Sequence, residues 1–309
     1  MKCCKTNAVI NVHGNKFCRE HFIRYYERKV EKIIKKLRDK KVLAAVSGGK
    51  DSMALAFLLY KFSKEYSFNF ELLFIDLGIH RYSEKSKKVI EKFVKEKGVK
   101  LNVIKAKDEI LAIDDINELK QKPRKGKQKS RQGPKQKLPK PICSYCGLIK
   151  RYLINKFAYE NCFDLVVIGH NLDDEIAFIF MNMLNQNIEQ LARIGIITET
   201  NKKLKLIGRI KPLYFCSEKE NMTYCLINGI EFYNEECPYA INASQIKIKH
   251  LLNEFEKEKP GFKLNFLKSF LKLKENLKVK REAIKQCKIC GYATTLDVCA
   301  FCRLKGMLR

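Results

Sequence analysis

The hexapeptide Ser47-Gly48-Gly49-Lys50-Asp51-Ser52 constrains this chain more than any other stretch. It directly follows the apolar run Val42–Val46 and opens a segment, Ser52 to about Glu65, patterned as a helix. A glycine pair between a strand and a helix lets backbone N–H groups turn inward around an anion. The helix N-terminus adds a partial positive charge. The stretch therefore predicts a phosphate site. Its frame differs from the G-x-x-x-x-G-K-[ST] loop of kinases and GTPases.

The surrounding pattern supplies the fold class. A helix is expected over about Glu20–Lys40, where Phe22, Tyr26, Val30, Ile33, Ile34 and Leu37 recur at helical spacing. Strands are expected at Val42–Val46, Phe70–Asp76, Lys100–Ile104 and Asp164–Gly169. Helices are expected near Glu84–Lys97, Tyr145–Glu160 and from Leu172 to about Asn185. Such alternation predicts an α/β fold with a parallel sheet covered on both faces. Beyond Asn185 the chain reads as mostly helical, with helices near Glu218–Gly229, Ser244–Lys257 and Phe262–Leu277.

One stretch breaks the alternation. Lys120–Pro141 holds ten Lys or Arg, four prolines and no acid. It cannot bury a face, so it is expected to be either a solvated insertion or a flexible phosphate-binding arm. The whole chain carries a net charge of +28. Such self-repulsion points to a polyanionic partner, nucleic acid first, although a generally lysine-rich proteome would also raise the count. The longest apolar runs are strand-sized, and no basic helix shows an aromatic opposite face. No membrane partner, no signal peptide and a cytoplasmic location are therefore expected. In a reducing compartment, thirteen cysteines read as metal ligands or redox groups rather than disulfides.

Gly169-His170-Asn171-Leu172-Asp173-Asp174-Glu175 stands at a strand end entering a helix. Asn171 is a candidate N-cap and the acids suit a helix N-terminus. The preceding Gly-His adds a nucleotide-site reading, because ligands bind at the carboxyl ends of parallel strands. Cys143-Ser144-Tyr145-Cys146 follows the basic arm, and two thiols so spaced can share a metal, form a disulfide or act as nucleophiles. Cys237-Pro238 is a distant candidate third ligand, since Cys-Pro suits cluster ligation, and three thiolates leave one iron of a four-iron cluster open. Cys162, Cys216 and Cys225 lie on apolar stretches and are expected in the core. Cys287-x-x-Cys290 and Cys299-x-x-Cys302 have the spacing of a closed tetrahedral zinc site. A weaker N-terminal zinc set is Cys3, Cys4, Cys18 and His21, with His13 as a substitute, because adjacent cysteines diverge.

Taken in order, these motifs resemble the tRNA 2-thiouridine synthetase family of the PP-loop ATP-pyrophosphatase superfamily. The resemblance spans nearly the whole chain, from the N-terminal cysteines through SGGKDS, CSYCGLIKRY, GHNLDDE and NEECP to the C-terminal CxxC pair. It implies a PP-loop ATP-pyrophosphatase domain over residues 25–240 with zinc fingers at 1–24 and 283–309 and a helical segment at 241–282. It implies ATP, Mg2+, a [4Fe-4S] cluster on Cys143, Cys146 and Cys237, and two zinc sites. The implied nucleotide contacts are Ala45, Val46, Ser47, Gly48, Gly49, Lys50, Asp51, Ser52, Ile75, Lys150, Gly169 and Asp174. Asp51 would hold magnesium–pyrophosphate, Lys150 would stabilise charge at the α-phosphate, and Asp174 would act through magnesium or orient the nucleotide.

The expected reaction adenylates the C2 oxygen of a tRNA uridine and then inserts sulfur. The sequence around Leu148, Tyr152 and Leu172 is closer to members acting at T-loop position 54 than at wobble position 34. The resemblance further implies a homodimer and a sulfur donor that is either a ubiquitin-like thiocarboxylate protein or free sulfide. Cluster-free persulfide transfer, another ATP-pyrophosphatase activity and a non-catalytic zinc-bound RNA-binding protein are the alternatives. The family's first finger carries CxxC where this chain has Cys3-Cys4, and the basic arm is longer than the family's.

Overall fold

The computed structural model describes residues 10–121, 138–240, 244–277 and 283–308. A short hairpin, β1 (Ile10–Val12) and β2 (Asn15–Phe17), comes first. Its two-residue turn, His13-Gly14, takes positive φ at both positions, which matches the right-handed twist of a tight hairpin. The sequence reading missed this hairpin, because strands of three residues show no countable alternation. Helix α1 (Arg19–Ile34) follows, its Phe22, Tyr26, Val30, Ile33 and Ile34 stripe buried as the spacing requires.

Strand β3 (Lys41–Val46) leads into α2 (Lys50–Ser63), then β4 (Asn69–Asp76), α3 (His80–Lys97) and β5 (Leu101–Lys105). Two short helices, α4 (Ala106–Glu109) and α5 (Ile113–Gln121), were unforeseen. Next come α6 (Ile142–Glu160), β6 (Leu165–Ile168), α7 (Leu172–Leu184) and α8 (Ile188–Ala192). A fifth strand of the central sheet, β7 (Gly208–Ile210), was not foreseen in the mostly helical stretch past Asn185. The chain continues through α9 (Glu218–Ile227), α10 (Ser244–Glu258), α11 (Phe262–Lys274), β8 (Lys285–Gln286), β9 (Ala293–Thr294) and α12 (Ala300–Leu308).

The five central strands form one parallel sheet in the order β5-β4-β3-β6-β7. Side chains alternate across it. Val42, Ala44, Val46, Leu72 and Phe74 face one core with α1, α2, α3 and α7, while Leu43, Leu73, Ile75 and Val166 face a second core beneath α6. Helices α10 and α11 pack on α7, and Leu252, Leu267 and Phe270 enter the first core. The strand order reverses between β3 and β6, so a crevice opens at their carboxyl ends. Both glycine-bearing turns, after β3 and after β6, emerge there.

The basic arm lies largely outside the described residues, but its base is closed. Lys120 Nζ donates to the Lys140 carbonyl at 2.6 Å, and the Lys140 N–H donates to Tyr145 Oη at 3.1 Å.

Candidate active site

Helix α2 begins at Gly49 with no side-chain cap, so its first-turn N–H groups point into the crevice. Gly48 stands at φ +79°, and a Cβ there would lie 2.6 Å from the Ser86 carbonyl oxygen. Only glycine lets this loop close over α3. Ser52 Oγ accepts the Ser47 N–H at 3.1 Å and donates to the Gly49 carbonyl at 2.9 Å, bracing the turn. The Ser86 hydroxyl is buried in the same crevice without a protein partner among the described residues. Uncapped N–H groups and an orphaned hydroxyl suit a phosphate-bearing ligand.

The two loops line one cavity of about 530 Å³. Of the sequence-predicted residues, Ala45, Val46, Ser47, Asp51, Ser52, Ile75, Cys143, Cys146, Lys150, Gly169 and Cys237 all face it. Gly48, Gly49 and Lys50 build the turn behind, and Asp174 stands within α7 rather than on the wall. Asp51 is tied in place: its Oδ1 accepts from Asn221 Nδ2 at 2.7 Å, and Lys50 Nζ lies 3.3 Å from its Oδ2. Burial raises the Asp51 carboxyl, and Lys50 and Asn221 offset part of that rise.

Asn171 caps α7 through a capping box with Asp174, as its place before the acids suggested. Lys249 Nζ of α10 lies 2.5 Å from both Asp174 Oδ1 and Glu218 Oε1. Asp174 is partly buried, and its loss of solvent works to raise its carboxyl pKa. The Lys249 and His170 charges and the Lys249 hydrogen bond outweigh this, so the pKa stays below the usual carboxylate range. Burial lowers the His170 imidazole below its ordinary value. Asp173 pairs with Lys263, and both are buried.

The cysteine trio is assembled by two elements. A connecting helix between parallel strands runs antiparallel to them, so α6 starts at the carboxyl edge of the sheet and brings Cys143, Cys146 and Lys150 there. Lys150 follows Cys146 by one turn and shares its face. Cys237 arrives on the loop after α9. The Tyr233 N–H in that loop donates to the Gly48 carbonyl at 2.8 Å, and Cys143 Sγ donates to the Tyr239 carbonyl at 2.8 Å. The loop is thus fastened to the phosphate turn and to α6. Burial pushes the Cys146 thiol up to about 12, with Lys150 opposing, and raises Cys143 as well. A bound positive centre would have to draw off these protons. The three thiols are not crowded as a single ion requires: among the described residues only Cys287, Cys290, Cys299 and Cys302 are, their sulfurs lying within 4.8 Å of one another.

That C-terminal quartet fits one tetrahedral ion. Burial works to raise the Cys287 thiol, but N–H donors led by Cys299 hold it down to about 6. The module docks on α6, where Tyr152 stacks on Phe301 with ring centroids 3.8 Å apart. At the other end, Cys18 Sγ and His21 Nδ1 are 3.2 Å apart. Cys3 and Cys4 lie outside the described residues. His13 is corrected as a substitute ligand, since Glu256 and Glu220 take its two ring nitrogens at 2.8 and 3.3 Å. Cys162 is also corrected: it is exposed, whereas Cys216 and Cys225 are buried as expected.

The sequence reading did not assign Asn221, Glu218, Lys249 or Arg209. No local pattern marks them, because each meets the site only through folding.

A PP-loop domain model matches residues 23–128. The tRNA-5-methyluridine(54) 2-sulfurtransferase of Pyrococcus horikoshii is 42% identical over 99% of this chain and 94% of its own length. The enzyme of that name from Thermotoga maritima is 37% identical over 99% of this chain and 96% of its own. Among solved structures, the U34-tRNA thiolase NcsA from Methanococcus maripaludis, determined with its [4Fe-4S] cluster, is 29% identical. Its TM-score is 0.74, covering 94% of this chain and 91% of that one.

Proposed function

The chain belongs to the tRNA-5-methyluridine(54) 2-sulfurtransferase family, and from that premise we propose that it 2-thiolates tRNA at uridine 54 in an ATP-dependent reaction. One observation carries the site assignment: the phosphate turn and all three of Cys143, Cys146 and Cys237 line a single cavity. Lys150 lines the same cavity.

The residues divide the work. Ala45, Val46, Ile75 and Gly169 form the nucleotide wall, and the turn from Ser47 to Ser52 receives the phosphates. The uridine C2 oxygen attacks the α-phosphorus, and pyrophosphate leaves into the turn at the α2 N-terminus. Lys150 stabilises charge on the α-phosphate during transfer. Asp51 holds the magnesium that accompanies pyrophosphate. Asp174, fixed by Lys249 behind the cavity wall, orients the nucleotide through the first turn of α7. A sulfide equivalent then adds at C2, and AMP departs with the former C2 oxygen. Cys143, Cys146 and Cys237 would hold a [4Fe-4S] cluster, which would supply a site for the incoming sulfur. The cavity must receive an unstacked base, which a flipped loop nucleotide provides.

The same reading assigns the catalytic domain to residues 25–240, with a zinc finger on Cys287, Cys290, Cys299 and Cys302. A second zinc finger uses Cys3, Cys4, Cys18 and His21. It also assigns a homodimer in the cytoplasm, supplied by a thiocarboxylate protein or by free sulfide.

The test is anaerobic reconstitution with iron, sulfide, ATP and tRNA, followed by nucleoside analysis. Cys143→Ala and Cys237→Ala are expected to lose thiolated nucleoside and the broad absorbance near 400 nm. Unchanged thiolation in either variant overturns the cluster assignment.

A further inference from the structure

Two guanidinium groups share the cavity wall with Lys150 and His170, and the chemistry above gives them no task. Arg151 comes from α6, and Arg209 comes from the edge strand β7, where it pairs with Val166 of β6. Arg209 Nη2 reaches the Arg151 carbonyl at 3.5 Å, so the two residues stand against each other. Among the described residues, no acid contributes to the electrostatic surroundings of either. Loss of solvent lowers both guanidinium pKa values, and the charge of Arg151 lowers Arg209 further.

The neighbouring cations are different, because each faces an acid. Lys50 faces Asp51, Lys211 faces Glu175, and Lys249 faces Asp174. Arg151 is exposed and Arg209 partly buried, so water screens their repulsion only in part, and an anion between them would relieve the rest. The helix also makes room for one of them. Gly147 interrupts α6, where glycine costs up to about 1 kcal/mol relative to alanine. A Cβ at 147 would lie 3.0 Å from Arg151 Nη1. Helical side chains lean toward the N-terminus, so Arg151 lies back over Gly147 and toward the cavity.

We infer that Arg151 and Arg209 form a second phosphate subsite, which takes the backbone phosphodiester of the RNA nucleotide presented to the cavity. The planar forks suit a phosphodiester, which offers two free oxygens. The ATP phosphates are anchored elsewhere: the phosphate turn follows β3, two strands from β7, roughly 9.5 Å of sheet width. Arg209 lies on the last strand of the sheet, whose outer edge is bonded by residues 196–198, and its side chain reaches the cavity wall from there. The inference rests on the RNA reading of the site. It adds that the target nucleotide is gripped by its backbone as well as by its base.

The experiment compares wild type with Arg151→Ala, Arg209→Ala and Arg209→Lys in the cluster-loaded enzyme. It measures KM for tRNA, equilibrium ATP binding and the salt dependence of tRNA binding. Each alanine is expected to raise the tRNA KM about tenfold, the scale of one charge-assisted hydrogen bond. ATP affinity should stay within about twofold, and the slope of log K against log salt should shallow by about one per arginine. Arg209→Lys should restore the slope but not the KM, because a lysine keeps the charge and loses the fork. An unchanged tRNA KM overturns the inference. So does a parallel loss of ATP affinity, which would assign the pair to the nucleotide phosphates. If wild type thiolates no tRNA, the RNA reading itself fails, while equilibrium RNA binding still decides what the arginines hold.

Discussion

Lys249 Nζ lies 2.5 Å from Asp174 Oδ1, joining α10 to the first turn of α7 beside the nucleotide turn. The same ammonium reaches Glu218, and Lys50 Nζ lies 3.7 Å from the other Glu218 oxygen. A carboxylate that was read from its motif alone as a nucleotide contact is therefore held by a helix 75 residues away.

Lys249→Met would leave Asp174 and Glu218 partly buried without their cation. The expected loss is about 2 kcal/mol, below the usual figure for a broken buried pair because the groups keep some solvent contact. Thermal unfolding reads the loss, and ATP titration should show weaker binding. An unchanged unfolding midpoint would contradict the pairing.

Glycine at position 48 is predicted to be irreplaceable. In Gly48→Ala the φ of +79° is strained, and the new Cβ meets the Ser86 carbonyl oxygen at 2.6 Å. The cost of such strain is about 1–3 kcal/mol, and the turn should open to relieve it. Calorimetry with a non-hydrolysable ATP analogue should then show affinity reduced at least about tenfold. Equal affinity in the variant would remove the turn from the nucleotide site.

The N-terminal hairpin should respond to alkaline pH. Burial alone would lower His13, but its bonds to Glu220 and Glu256 raise it to about 9. A folded-state pKa above the ordinary 6.5 means that the stabilisation is complete below pH 6.5 and is lost as pH rises through about 9. The hairpin should lose roughly 2–3 kcal/mol of docking energy across that window. Glu220 works in the opposite range. Burial opposes its ionisation, yet His13 and Lys29 hold it down to about 2, so its contribution is lost only as pH falls through about 4 toward 2. Hydrogen exchange at Val12 and Phe17 at pH 6.5 and pH 9.5 checks the first window, and His13→Gln should flatten the difference.

Removing metal from the C-terminal quartet should loosen α6. The module's Phe301 stacks on Tyr152, and Tyr292 donates to Glu160 at 2.9 Å. A strong chelator, or Cys290→Ser, is expected to release about one zinc per chain and shift near-ultraviolet dichroism from these rings. Release of metal with an unaltered aromatic spectrum would show that the docking does not depend on the ion.

Where partners sit close along the chain, the sequence was readable. The strand before Ser47, the helix after it and the Asn171 cap with its acids are local relationships, set by alternation, helical spacing and hydrogen bonds reaching three residues. The C-terminal quartet was equally readable, since CxxC spacing is ligand geometry written in sequence. Strand β7 was not. Three residues carry no measurable period, and its pairing with β6 depends on a segment 43 positions earlier.

The sequence by itself determined the parallel α/β scaffold, the phosphate turn and the C-terminal cysteine quartet, because each is a short-range pattern of side-chain period or spacing. The tertiary structure decided which of these share a cavity. It brought Cys237 to Cys143 through the loop fastened at Gly48, gave Asp174 to Lys249, gave His13 to Glu220, and set Arg151 beside Arg209 with no acid against them among the described residues. Those pairings join residues far apart in the chain, and only sheet order and helix packing bring them within bonding distance.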